Sequence, residues 1–224
     1  MESIKEIVVF DFCETLVDFQ TADAFVEYVC DHSNRRMVKN RKAIYRFLNQ
    51  FRIIDVLEFF TGWKKSYHKK FCLWQIKGIC RETIEQLSID YYNSRIKPHL
   101  IDKTVLLLQE YVRDKNIVVL VSGGYDIYLK HFAVEFGVNQ VISSRLRFRN
   151  NKFTGHMDGL DCINENKVIL YKERFKCIKK TRIKASYSDS ITDIPILKIA
   201  ENAYVVSRKH QSWVDDYGFK EIIW

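Results

Sequence analysis

The feature that most restricts how this chain can fold is a short apolar run that stops at a carboxylate: Val8-Val9-Phe10-Asp11-Phe12-Cys13-Glu14-Thr15-Leu16. A few consecutive Val, Ile and Phe residues bounded by charges form the pattern of a strand buried on both faces, as in a parallel sheet covered by helices. Ligands of such open sheets bind beyond the carboxyl ends of the strands. Asp11 stands at one such end and is the first candidate for chemistry.

The pattern recurs twice. Residues 116–121 include Ile-Val-Val-Leu-Val and run straight into Ser122-Gly123-Gly124, after which Leu129, Phe132, Ala133 and Phe136 resume a helical period. This predicts strand, glycine turn, helix. Backbone N–H groups at a helix start, aided by the macrodipole, favour an anion, so Ser122, Gly123 and Gly124 are candidate phosphate ligands. Ser-Gly-Gly alone equally describes a structural turn. A further strand over 185–188 ends in Ser188-Asp189-Ser190-Ile191-Thr192-Asp193, which sets two carboxylates four residues apart. In isolation Asp193 suits an N-cap and Asp189 a turn. Val168, Tyr171, Phe175 and Ile178 predict a helix over 164–179 with Lys167 in its first turn. A lysine there opposes the helix dipole, so it either has another task or bends into water.

The remaining elements are structural in character. Ile101, Val105, Leu108 and Val112 predict a helix after Pro98. The alternation from Arg145 to Gly155 around Asn150-Asn151 predicts a hairpin, with Arg145, Arg147 and Arg149 on one face. Late strands at 204–207 and 221–223 are joined by a helix carrying Trp213 and Tyr217.

Residues 19–97 differ from the rest of the chain. They hold two glycines and no proline, follow helical periods, and carry 15 Lys and Arg against 8 Asp and Glu, nearly all of the formal net charge of +8. They read as a helical insertion. Basic and aromatic residues interleave at Arg35-Arg36, Arg41-Lys42 and Trp63 to Lys70. Such a composition suits either a phosphate-bearing partner or a solvated helix face with aromatics packed behind it.

With 224 residues, 47% hydrophobic and 29% charged, the chain can fold into a core domain plus a smaller one. Met1 to Glu6 carry two glutamates and a lysine rather than a signal-peptide core, and no apolar run reaches membrane-spanning length, so a cytoplasmic protein is expected. The six cysteines (Cys13, Cys30, Cys72, Cys80, Cys162, Cys177) show no C-x-x-C pair, so free thiols are expected, packed in the interior apart from Cys13.

Asp11-Phe-Cys-Glu-Thr15, Ser122-Gly-Gly-Tyr, Lys167 and Ser188-Asp-Ser-Ile-Thr-Asp193, in this order and on these elements, resemble the four motifs of the haloacid dehalogenase superfamily. The likeness covers the whole chain and points to the phosphoserine-phosphatase-like branch, whose helical cap lies between the first two motifs. It implies an α/β fold: a Rossmann-like three-layer core with a mainly parallel sheet (1–18 and 98–224), plus an inserted all-helical cap (19–97). It further implies hydrolysis of a phosphate ester through an aspartyl-phosphate on Asp11. Mg²⁺ would be held by Asp11, Asp189, Asp193 (directly or through a water) and the backbone carbonyl of Cys13. Ser122, Gly123, Gly124 and Lys167 would bind the phosphoryl group. The expected partner is a small phosphorylated substrate; nucleic acid is disfavoured, and peripheral membrane contact through the basic cap stays open.

At position 13 the sequence departs from the family pattern, in which an Asp two residues after the nucleophile moves the proton. A thiol near carboxylates is a poor shuttle at neutral pH. Three readings follow: a phosphatase whose substrate has a good leaving group or whose proton moves through Glu14 or a substrate hydroxyl; a phosphotransferase with an acceptor other than water; or a non-enzymatic binding module using the basic cap.

Overall fold

A computed structural model of the protein describes residues 5–61, 67–177 and 181–224. Trp63, Lys64, Lys65 and Ser66 of the basic run, Ile178 and Lys179 of the expected helix, and the first four residues lie outside these.

The run around Val8 forms β1 (Lys5–Phe10), which ends one residue before Asp11. Five helices follow: α1 (Thr21–His32), α2 (Arg36–Gln50), α3 (Ile53–Thr61), α4 (Tyr67–Gln75) and α5 (Arg81–Tyr91). A π turn and a 3₁₀ turn then lead through Pro98 to α6 (Asp102–Arg113). The remaining order is β2 (Ile117–Tyr125), α7 (Asp126–Phe136), β3 (Gln140–Ser144), β4 (Leu146–Arg149), β5 (Lys152–Met157), α8 (Glu165–Phe175), β6 (Thr181–Ser188), α9 (Ile194–Leu197), β7 (Ala200–Ser207), α10 (Ser212–Tyr217) and β8 (Lys220–Ile223).

Six strands form one sheet in the order β3-β2-β1-β6-β7-β8, each neighbouring pair parallel. The two-residue period of β1 divides its side chains between two cores. Val8 and Phe10 join Val105 and Leu108 of α6 and Leu129 and Phe132 of α7, whereas Ile7 and Val9 join Tyr171 and Phe175 of α8. Burying apolar side chains on both faces of a central strand is what makes a three-layer α/β arrangement favourable. The fold class is therefore the expected α/β one.

Hydrophobic packing continues from the sheet into the helices of residues 21–91, where Phe25, Val29, Ile76, Ile84 and Tyr91 belong to the same buried cluster as Phe10 and Phe12. Backbone hydrogen bonds between Gly78 and Phe153 and between Phe153 and Ile79 fasten the end of this helical segment to the β4–β5 hairpin. Asn150 and Asn151 both take positive φ at the hairpin tip, which matches the turn expected there, and Arg145, Arg147 and Arg149 are all exposed.

Four expectations need correction. Ser122-Gly123-Gly124 is not a turn: β2 runs through Tyr125, and an irregular register with β3 bulges it between Ser122 and Tyr125. Strand β3 was not foreseen, because Val141 and Ile142 alone interrupt its polar sequence. Strands β6 and β7 begin four residues earlier than expected, at Thr181 and Ala200, because backbone pairing with their neighbours runs through polar positions such as Arg182 and Asn202. All the described cysteines are free, but Cys177 is exposed and Cys80 half-buried rather than packed inside.

Candidate active site

The C-terminal ends of β1, β2 and β6 meet at one pocket of about 470 Å³. Asp11, Cys13, Ser122, Gly123, Lys167, Asp189 and Asp193 all line it; of the predicted site residues, Gly124 alone is set back. Asp11 extends the sheet one step past β1, its N–H donating to the Tyr187 carbonyl at 2.9 Å. The loop then folds back on itself, with Leu16 N–H bonded to the Phe12 carbonyl at 2.9 Å. This tight return keeps Asp11 at the sheet edge.

Lys167 ties the acidic groups together from the first turn of α8. Its Nζ is 3.0 Å from Asp11 Oδ1 and 2.5 Å from Asp193 Oδ2, and the latter oxygen also accepts from Ser188 Oγ at 2.5 Å. The side chain of Lys167 is 4% exposed, so the dipole it opposes is outweighed by two carboxylates in a medium that screens poorly. Burial alone would push the Lys167 pKa down, but Asp11 and Asp193 hold it above the usual lysine range.

The carboxylates are less well satisfied. Asp11 Oδ1 is buried 3.0 Å from the Lys167 ammonium and has no further hydrogen-bond partner among the described residues. Burial raises the Asp11 pKa against the pull of Lys167, with Asp193 adding to the rise. Asp189 is pushed up to about 8, first by burial and then by the negative charges of Asp11 and Asp193. Three carboxylates around one ammonium leave a deficit of positive charge.

A hard divalent cation fits that deficit. Among the described residues no three His, Cys, Asp or Glu side chains are arranged to hold an ion by themselves. Proteins in general bind Mg²⁺ through one or two carboxylates together with waters and substrate phosphate, without a full protein cage. The orphaned Asp11 oxygen and the crowded Asp189 supply that kind of donor set. Asp193 is engaged with Lys167 and Ser188, which suits an indirect role better than direct ligation.

Gly123 and Gly124 are required by close approach, not by backbone conformation, since neither has a positive φ. A Cβ on Gly123 would come within 2.9 Å of Ile163 Cγ2, and one on Gly124 within 2.5 Å of the Tyr128 hydroxyl. Gly124 N–H donates to Ser122 Oγ at 3.2 Å.

Cys13 is buried in the pocket wall, two residues after Asp11. Its Sγ is 3.1 Å from Thr21 Oγ1 and accepts from Thr21 N–H at 3.4 Å, while Thr21 Oγ1 is 2.7 Å from the Tyr128 hydroxyl. Burial, and then the Asp11 charge, push the Cys13 thiol up to about 12. It stays protonated at neutral pH. Glu14 accepts from Gln20 Nε2 at 3.2 Å and does not line the pocket.

Several pocket residues carry no motif. Lys69 of α4 reaches across from the helical segment: its Nζ is 2.5 Å from Asp161 Oδ1 and 3.2 Å from the Gly123 carbonyl, and lies over the Tyr125 ring. Ser144 Oγ also donates to Asp161, at 2.6 Å. Asp23, Glu58 and His68 complete this wall. Lys69 and His68 belong to the basic run noted in the sequence, but periodicity could not tell which of its lysines points inward; Asp161 had no signal at all.

A family model for haloacid dehalogenase-like hydrolases matches residues 8–198. A phosphoserine phosphatase of Methanocaldococcus jannaschii is 23% identical over 203 residues, covering 89% of this chain and 84% of that protein. Among solved structures, a Bordetella pertussis protein of unknown function superposes with a TM-score of 0.77 at 15% identity, covering 98% of this chain and 99% of the other. A substrate-bound phosphoserine phosphatase complex superposes with a TM-score of 0.62 at 19% identity, covering 99% and 94%.

Proposed function

The chain belongs to the haloacid dehalogenase-like hydrolases, and from that premise we propose that it is a Mg²⁺-dependent phosphatase of a small phosphate ester, working through an aspartyl-phosphate on Asp11. The observation that carries this reading is the Lys167 ammonium buried between Asp11 and Asp193 at the floor of a pocket open to a ligand. The relation to phosphoserine phosphatases supports phosphate-ester chemistry without naming the ester.

In the proposed reaction a carboxylate oxygen of Asp11 bonds to phosphorus while the bond from phosphorus to the ester oxygen breaks. Water then attacks the same phosphorus, releasing inorganic phosphate and restoring Asp11. Lys167 orients Asp11 and offsets charge on the phosphoryl oxygens, and Ser122 and Gly123 bind that group from the end of β2. Asp11, Asp189 and the Cys13 carbonyl would hold Mg²⁺, with Asp193 bracing a bound water; the ion, when bound, supplies the positive charge that lets one anion approach another. Residues 19–97 act as the cap, with Lys69, His68 and Glu58 forming its inner face.

The leaving oxygen needs a proton that Cys13, held to about 12, does not readily give at neutral pH. The substrate is therefore one with a good leaving group or one that carries its own proton donor. The same protonated thiol makes water a poorly activated acceptor, which favours phosphoryl transfer to a stronger nucleophile as the second reading.

The test is phosphate release from a panel of aryl, alkyl and acyl phosphates with Mg²⁺, beside trapping of beryllium fluoride on Asp11. Release fastest from the best leaving groups, with trapping, is expected. Trapping, with the leaving group freed and a new alkyl phosphate formed only when an alcohol is added, would favour the transferase. Absence of both removes the enzymatic reading.

A further inference from the structure

Helix α2 carries two apolar faces, and among the described residues only one of them is packed inward. Val38 and Tyr45 pack against the interior, while Met37, Ile44, Phe47 and Phe51 recur at helical spacing on the outer side and are 48–65% exposed. Helix α3 repeats the division. Ile54 and Glu58 turn inward, Glu58 reaching the pocket, whereas Phe59 and Phe60 stand 73% and 80% exposed. The phenylalanines associate in pairs, with ring centroids 4.6 Å apart for Phe47 and Phe51 and 5.6 Å for Phe59 and Phe60.

This apolar surface is set among positive charges. Residues 35–61 contain seven Lys and Arg against two Asp and Glu, and α2 itself contains no acid. Lys42 and Arg46 are neutralised by Glu27 and Asp31 of α1 and Arg52 by Asp55, but Arg36 and Lys39 of α2 are exposed to solvent. Solvent-facing aromatics in an unbalanced basic setting combine the two attractions that hold a helix in the interfacial layer of an anionic membrane. A second copy of the chain would bring the same positive excess against this face, so self-association is opposed where an anionic lipid surface is attracted.

We propose that the outer face of α2 and α3 is a peripheral docking surface for anionic lipid bilayers. Docking there leaves the pocket accessible, because Glu58 lines it from the opposite side of α3. The enzyme would thus be concentrated at a membrane while its catalytic groups stay in the aqueous phase. The proposal is independent of the catalytic reading, since none of the docking residues touches the pocket floor.

The experiment is co-sedimentation of the full chain with phosphatidylcholine vesicles, with or without phosphatidylglycerol, at low and high salt. Binding to the anionic vesicles, weakened by salt, is expected. R36Q/K39Q should weaken it about 25-fold, at roughly fivefold for each charge. F59S/F60S should weaken it at least about tenfold. Unchanged circular dichroism and melting temperature would show both variants folded. Equal binding to neutral and anionic vesicles, no binding to either, or indifference to both variants overturns the proposal. So does a concentration-dependent dimer dissolved by F59S/F60S, or salt-sensitive nucleic-acid binding without lipid binding.

Discussion

On the sheet side of the pocket, Asp11, Lys167, Asp193 and Ser188 form a buried knot whose members bond mainly to one another. On the helical side, Glu58 accepts from the His68 N–H, His68 bonds to Asp55, and Lys69 crosses the pocket to Asp161, all from short helices with solvent on their outer faces. The polar groups of the first wall are fixed by the sheet and by charge compensation in a poorly screened interior; the helices of the second pack on the same apolar core, but the polar groups they turn to the pocket make a few contacts that a ligand can compete for. Chemistry common to a family belongs on the first kind of wall, and discrimination between substrates on the second.

That division can be broken most sharply at the nucleophile. Asp11→Asn should abolish both phosphate release and trapping; residual turnover measured with a good leaving group would place the chemistry elsewhere. Lys167→Met comes next. It leaves Asp11 and Asp193 buried without their cation, at a cost of about 3–5 kcal/mol in urea unfolding, and should lower kcat about 10²- to 10³-fold. A destabilised variant with unchanged kcat would show that the knot is merely structural.

Cys13→Asp tests the proton route within the same wall. Restoring a carboxyl shuttle should raise hydrolysis of alkyl phosphates by about 10²-fold and change aryl phosphates little. An unchanged ratio between the two substrate types would refute the role assigned to the thiol. Lys69→Met tests the opposite wall: KM for the favoured substrate should rise about tenfold while kcat for a small aryl phosphate stays nearly constant. Equal losses in kcat for both would mean that Lys69 belongs with the sheet wall.

The smallest effect concerns the packing beneath the site. Burial pushes the Cys162 thiol up from 9.0 to about 12, with Lys167 opposing that rise. Folding therefore protects its proton. The associated stability is complete below pH 9 and is lost as pH rises toward 12, by no more than about 1.4 kcal/mol per pH unit. Cys162→Ala should melt lower than the parent at neutral pH yet decline less steeply between pH 9 and 11. Parallel melting curves would exclude the thiol as the cause.

The sheet wall was legible because its residues sit where apolar runs end: Asp11 after Val8-Val9-Phe10, Ser122 after the β2 run, Asp189 after β6. Termination of a buried strand is a one-dimensional signal. Lys167 was harder, and its depth could be recognised only once Asp11 and Asp193 were seen on either side of it. The glycines at 123 and 124 were noticed for the wrong reason: they permit the approach of Ile163 and Tyr128, a constraint that exists only between elements. Asp161 and Glu58 lie in segments where one carboxylate looks like any other until the chain is folded. Strand β3 escaped because an edge strand can pair with few apolar residues.

The strand order also has a consequence in time. Strand β1 leaves the ribosome before either of its neighbours, which begin at Ile117 and Thr181. Until Thr181 and the residues after it have been made, this buried strand has at least one unpaired side. Non-local parallel pairing of this kind is slow and leaves exposed strand edges open to wrong partners. Asp11 is made long before Lys167, Asp189 and Asp193, and meets its electrostatic environment only after they follow. A competent site therefore certifies that β6 has been made and has reached its place beside β1.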